Sequence, residues 1–274
     1  MKTLYISDLD GTLLNQNAEI SEYTAEALNK LIKSGMHFSV ATARTSATAV
    51  LMLKEVPINI PIVLMNGVLI YDIMNKKFIK KEPLDKPCAE QIICVMNEAG
   101  MTGFLYTLKG NEPETYYTTL SNNAMKSFAR ERLEKFGKKF TKIDDFTKIN
   151  EEIIYFCYMD DFENIHRLYD KMAKISGLRI EKYQDIYSND LWYMEVFSEK
   201  ASKYNAVKFL REKYGFDRVV SFGDNLNDLP MFKASDECYA VANAKPELKA
   251  AATAVIESNE NDGVARFIEG EING

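Results

Sequence analysis

Apolar residues gather in short runs, and stretches with helical spacing separate them. Residues 3–8 (Thr-Leu-Tyr-Ile-Ser-Asp) are one such run and predict a short buried strand. Over 22–34, Ala25, Leu28, Leu31 and Ile32 share one helical face, with Ser21 as a candidate N-cap and Gly35 just past the end. Residues 36–42 predict a second strand, a helix follows, and 61–65 predict a third strand. Strand, helix, strand, helix, strand is the rhythm of a parallel α/β sheet. The rhythm returns after about residue 193, with a helix over 202–214 that ends at Gly215 and a strand over 218–222 that runs into Gly223-Asp224. A helix carrying Asp228 in its first turn, a strand over 238–242 and a helical tail complete it.

The middle of the chain is patterned differently. Residues 68–73 and 78–81 predict a hairpin around Asn75-Lys76. Helices are expected at 86–99, 122–136 and 162–175, and strands at 103–108, 152–159 and 178–184, in an order that suits an α+β unit with an open antiparallel sheet. The expected fold class is therefore α/β: a Rossmann-like parallel-sheet core from residues 1–82 and 193–274, interrupted by an α+β domain over 83–192. Pro83, Pro87 and Ser188-Asn189-Asp190 are candidate hinge positions. Tyr116, Tyr117 and Tyr158 of the insertion could stack on a ligand, though filling its core is the plainer use of such rings.

Composition narrows the function classes. A net charge of -6 and a pI near 5.2 argue against nucleic acid or an anionic membrane as partner. No apolar stretch reaches the roughly 20 residues of a membrane span, and the N-terminus lacks a signal-peptide layout. Cys88, Cys94, Cys157 and Cys238 form no Cys-x-x-Cys pair, so reduced thiols in a cytoplasmic protein are expected. His37 and His166 are far apart and have no ligand-spaced neighbours, which leaves little room for a zinc cage or a histidine base.

The chemistry concentrates in two acidic clusters, Asp8-Leu9-Asp10-Gly11-Thr12 and Gly223-Asp224-Asn225-Leu226-Asn227-Asp228. Each follows a predicted buried strand. Side by side in one parallel sheet, the strands would bring the carboxylates to one edge, a setting for a hard cation such as Mg²⁺ and for phosphoryl chemistry. Asp-x-Asp taken alone reads equally as a solvated strand-end turn. A hydroxyl at the end of the second strand and before a helix can donate to a phosphate oxygen, and Arg44 is either a substrate contact or half of an ion pair. Met65-Asn66-Gly67 reads mainly as turn chemistry at the end of the third strand, with a substrate contact as the alternative because such strand ends face the ligand crevice.

The stretch Leu4-Tyr5-Ile6-Ser7-Asp8-Leu9-Asp10-Gly11-Thr12-Leu13 resembles the first motif of the haloacid dehalogenase superfamily, and in particular its Cof-type phosphatases with a large inserted cap. Ser39–Arg44, residues 195–206 and Gly223–Asp228 resemble the later motifs, in the family's order and across the whole chain. The resemblance implies Asp8 as nucleophile and Asp10 as general acid and base. It implies phosphate binding at Leu9, Thr42, Ala43, Lys203 and Asn227. It implies Mg²⁺ held by Asp8, the backbone carbonyl of Asp10, and Asp224, with Asp228 in support. Lys200 is the nearby rival to Lys203, and Ala43, Lys200 and Tyr204 stand where the family commonly has glycine. The implied activity is a phosphatase acting on small phosphorylated metabolites, such as sugar phosphates, pyridoxal phosphate or flavin mononucleotide. A phosphomutase that returns the phosphoryl group to a sugar shares these features, as in part does a non-catalytic Mg²⁺-binding regulatory module. Nothing in the sequence fixes an oligomeric state, and a monomer is compatible with it.

Overall fold

A computed structural model describes residues 1–110, 112–185 and 190–273. The chain forms two compact units, Met1–Lys81 with Ser202–Gly274, and Glu82–Ala201. The first unit begins with β1 (Thr3–Ser7), α1 (Glu22–Lys33), β2 (His37–Val40), α2 (Ser46–Met52) and β3 (Ile62–Leu64). The Ser21 hydroxyl accepts from the Thr24 N–H at 3.0 Å and so caps α1. Gly35, with φ +100°, lets the chain leave the helix in a conformation that a side chain would disfavour. β4 (Leu69–Asp72) and β5 (Lys77–Lys81) then pair antiparallel as the expected hairpin, and β3 pairs with β4.

The inserted unit runs α3 (Lys86–Glu98), β6 (Phe104–Lys109), β7 (Glu112–Tyr117), α4 (Asn123–Phe136), β8 (Thr141–Lys142), β9 (Glu152–Asp160), α5 (Phe162–Met172), β10 (Leu178–Gln184) and β11 (Trp192–Ser198). Its strands form one sheet in the order β10-β11-β9-β6-β7-β8, antiparallel except at β7–β8. Alternate residues of a strand face opposite sides. Phe156 and Tyr158 of β9 accordingly join Leu105, Met194 and Val196 in a core with Ile92, Ile93 and Met96 of α3 and Ile165, Leu168 and Met172 of α5. Tyr158 is thus a core ring, and Tyr116 packs against the same cluster. Two expectations need correction. The second boundary falls at Ala201/Ser202 rather than 192/193, because β11 is hydrogen-bonded between β9 and β10. Pro87 lies in the first turn of α3, where its missing N–H costs no helical bond, so it starts a helix rather than a hinge. Ser188 and Asn189 of the other proposed hinge lie outside the described residues.

The chain then returns to the first unit with α6 (Lys203–Tyr214), β12 (Arg218–Gly223), α7 (Leu229–Lys233), β13 (Glu237–Val241), α8 (Pro246–Ala251), β14 (Ala254–Ile256) and α9 (Gly263–Asn273). The main sheet is parallel, in the order β14-β13-β12-β1-β2, and β3 joins it through an Ala41–Val63 bridge. Its central strands are apolar on both faces, as a sheet covered on both sides requires: Leu4, Ile6, Phe38, Val40, Val219, Val220 and Phe222 are all fully buried. From β1 the chain steps outward through β2 to β3, and from β12 outward the other way through β13 to β14. The step reverses between β1 and β12, and ligands of open α/β sheets bind at the carboxyl ends of the strands at such a reversal.

Leu168 is fully buried at the heart of the inserted unit's core. Leu168→Ala should lower stability by about 2–5 kcal/mol in urea unfolding. A loss under about 1 kcal/mol would mean that α5 does not anchor this core.

Candidate active site

Ser7 of β1 lies in register with Phe222 of β12 and with Val40 of β2, so the three strands end side by side. The next residue, Asp8, stays in the ladder by donating its N–H to the Phe222 carbonyl at 3.0 Å. The chain then leaves the sheet in a wide turn, with Leu14 N–H donating to Leu9 C=O at 2.9 Å. Gly11 takes φ +74° in this turn, and a Cβ there would lie 2.6 Å from Asp224 Oδ2, so glycine is needed for both backbone and space. Leu9 is buried, while Asp10 is half-exposed. The two predicted acidic clusters are therefore adjacent, and Thr12 Oγ1 links them by donating to Asp224 Oδ1 at 3.0 Å.

Lys203, the first residue of α6, reaches into this edge. Its Nζ donates to Asp8 Oδ1 and to Asp228 Oδ1, each at 2.6 Å, and its side chain is 1% exposed. Ser202 caps the helix by accepting the Asn205 N–H at 3.0 Å. Lys200, the rival, belongs to the inserted unit and lies 3.7 Å from Asp85. Tyr204 points outward, with Lys208 over its ring. Asp228 uses its second oxygen as well, accepting the N–H groups of Asp224 and Asn225 at 3.0 and 3.1 Å. Gly223 leaves room for this, since a Cβ there would meet Asp228 at 2.7 Å. Asn227 lies in the same short turn, Leu226–Asp228.

Behind β2, Thr42 is fully buried, and its hydroxyl accepts the Arg44 N–H at 3.1 Å. Backbone bonds from Asn66 N–H to Thr42 C=O and from Met65 N–H to Arg44 C=O tie the Thr42-Ala43-Arg44 segment to the turn after β3. Met65, Asn66 and Gly67 all have positive φ, at +49°, +55° and +101°. This left-handed turn brings the Gly67 backbone against Ser202, where a Cβ would fall 2.3 Å from the Ser202 carbonyl oxygen. Asn-Gly signals such a turn in sequence, but Met65 gives no warning of it. The Arg44 guanidinium grips both oxygens of Asp10, Nε to Oδ2 at 2.8 Å and Nη2 to Oδ1 at 2.6 Å. Of the two uses expected for Arg44, the structure shows the ion pair. His37 packs edge-on against Phe216, and His166 lies beside Lys182, so neither histidine belongs to the acidic cluster.

Electrostatically the site is short of positive charge. Burial pushes the Asp8 carboxyl well above the ordinary range; Lys203 pulls it back, and Asp228, Asp224 and Asp10 push it up again. Burial and then Asp228 raise Asp224 to about 7. Burial alone would lower Lys203, but Asp228 and Asp8 outweigh it and hold the ammonium charged. Asp8, Asp224 and Asp228 each bring a carboxylate oxygen within 4.8 Å of the others, a hard, oxygen-rich set suited to Mg²⁺. With both Asp228 oxygens already engaged, Asp8 and Asp224 are the pair better placed to give an oxygen to a cation.

The chain belongs to the haloacid dehalogenase-like hydrolase family, whose model matches residues 5–268. A 5-amino-6-(5-phospho-D-ribitylamino)uracil phosphatase of Bacillus subtilis is 28% identical over 298 aligned residues, covering 100% of this chain and 99% of its own. A pyridoxal phosphate phosphatase of Escherichia coli is 23% identical, with 95% of each chain covered. A haloacid dehalogenase-like hydrolase from Bacteroides thetaiotaomicron shares the fold, with a TM-score of 0.82 at 22% identity over 99% of this chain and 100% of that one. The family resemblance seen in the four sequence motifs is borne out. Among the described residues, no helix is long and apolar enough to cross a membrane.

Two outcomes follow from the site's geometry. Gly67→Ala should cost about 1–3 kcal/mol through strain at positive φ and displace the start of α6, measured by denaturant unfolding. An unchanged midpoint would show that the Gly67–Ser202 contact is not tight. A carboxyl raised on folding stabilises the protein fully below its unfolded value and loses that stabilisation as pH rises through its folded value. In chelator, thermal stability should therefore fall as pH is raised from the ordinary 3.8 of Asp224 through about 7, and Asp224→Asn should flatten that fall.

Proposed function

We propose that this chain is a cytoplasmic, Mg²⁺-dependent phosphatase that hydrolyses phosphomonoesters of small metabolites through an aspartyl-phosphate on Asp8. The observation that carries this reading is the buried Asp8–Lys203–Asp228 bridge, with both bonds at 2.6 Å, at the edge where β1 and β12 end. A carboxylate held against an ammonium can approach an anionic phosphate with part of the repulsion already cancelled. One Asp8 oxygen attacks phosphorus, and the ester oxygen departs with a proton from Asp10. Water then attacks the phosphorus of the acyl phosphate, Asp10 takes the water's proton, and inorganic phosphate leaves a regenerated Asp8. Thr42, Lys203, Asn227 and the N–H groups of Leu9 and Ala43 are assigned to the phosphoryl oxygens. Mg²⁺, held by Asp8, Asp224 and the Asp10 carbonyl with Asp228 in support, would supply charge stabilisation of the phosphoryl group.

The named relatives act on a phosphorylated ribityl compound and on pyridoxal phosphate, which favours sugar phosphates and phosphorylated cofactors as the substrate class. Choice among them is assigned to the inserted unit, as a cap. Phosphate release from a panel of such esters should require Mg²⁺, stop in chelator, and fall by at least about 10³-fold in Asp8→Asn. Release that survives both changes would sink the mechanism. Transfer to a second sugar in place of release would point to a mutase.

A further inference from the structure

The Arg44–Asp10 contact is built with more care than a surface ion pair needs. Asp10 sits in the turn beyond β1, with a side chain 46% exposed. An aspartate so placed is free to turn about two side-chain bonds. The guanidinium, only 17% exposed, meets both carboxylate oxygens in a fork, at 2.8 and 2.6 Å, and so fixes the carboxylate plane. Arg44 itself is anchored at both backbone groups: its N–H donates to Thr42 Oγ1 and its C=O accepts from Met65 N–H, each at 3.1 Å. The segment that carries Thr42 is thereby coupled rigidly to the orientation of Asp10.

Resting on the phosphatase reading above, we infer that Arg44 is a positioning residue for proton transfer by Asp10. Each carboxylate oxygen has two lone pairs, and the fork uses one of each. Asp10 keeps a free lone pair on either oxygen to carry the proton, while its plane and its distance from the strand end stay fixed. Arg44 acts on the step that needs a proton, the departure of the ester oxygen, rather than on phosphate binding as such. A lysine cannot replace it, because an ammonium is a point charge and does not define a plane.

The test uses two esters of similar shape, phenyl phosphate and p-nitrophenyl phosphate. Phenolate leaves poorly without a proton, and p-nitrophenolate leaves well without one. Because kcat/KM reports events up to leaving-group departure, it isolates the step in question. Arg44→Ala should lower kcat/KM for phenyl phosphate by at least about tenfold and for p-nitrophenyl phosphate by less than about twofold, with Arg44→Lys nearly as impaired as Arg44→Ala. Asp10→Asn should show the same selectivity, and adding Arg44→Ala to it should cause no further loss. Equal losses on both esters would make Arg44 a phosphate contact and overturn the inference, and so would no loss on either. Additive losses in the double variant would also overturn it. Wild-type protein that releases phosphate in Mg²⁺ neither from these esters nor from any member of the metabolite panel would remove the phosphatase reading itself. Melting temperatures of the single variants within about two degrees of wild type would exclude a folding defect as the cause of any loss.

Discussion

The buried ammonium of Lys203 is the interaction on which the first unit's acidic edge depends. It ties the residue after β1 to the turn after β12 through a helix start, and offsets part of the cost of burying both acids. Removing one partner from such a pair leaves an uncompensated buried charge, at a cost of about 3–5 kcal/mol. The dependence continues outward. Asp228 receives Lys203 on one oxygen and orders the Asp224 and Asn225 N–H groups with the other. Gly11 and Gly223 are small because Asp224 and Asp228 occupy the space that their side chains would take. The left-handed turn at Met65-Asn66-Gly67 lets α6 begin close enough for Lys203 to reach.

The same arrangement stores an imbalance. Asp8, Asp10, Asp224 and Asp228 share the cations of Lys203 and Arg44. Burial makes the shortage expensive at Asp8 and Asp224, and both hold protons more tightly as a result. On the reading proposed above, a divalent cation bound here would relieve that shortage and add stability, so that one ion would serve both the chemistry and the fold.

Much of this was legible in the sequence because burial leaves a plain record there. β1 and β12 had to be apolar on both faces, and their acidic ends could then be placed at one sheet edge. Ser21 and Gly35 marked the ends of α1 by local chemistry alone. What escaped were features set by partners distant in sequence. Trp192–Ser198 has no local signal that tells a return to the parallel sheet from one more antiparallel strand; only its pairing with β9 and β10 decides it. Arg44 could be read as a substrate contact or half of an ion pair, because its choice of Asp10 is made across two loops. β7 and β14 were missed because the first is interrupted by Pro113 and the second is only Ala254–Ile256.

The interruption of the main sheet also sets an order of events for the growing chain. β2 reaches β1 early, but the opposite edge of β1 waits for β12; nearby, Lys2 and Asp217 are bonded across 215 positions. During synthesis the first half-sheet therefore stands with an open apolar edge while the whole inserted unit emerges. That unit has its own core and can collapse by itself, which draws its two ends together and shortens the effective loop that β12 must close. An insertion that folds first would shorten the time β1 stands unpaired, and a variant that slowed it would leave β1 longer exposed to pairing with the wrong strand.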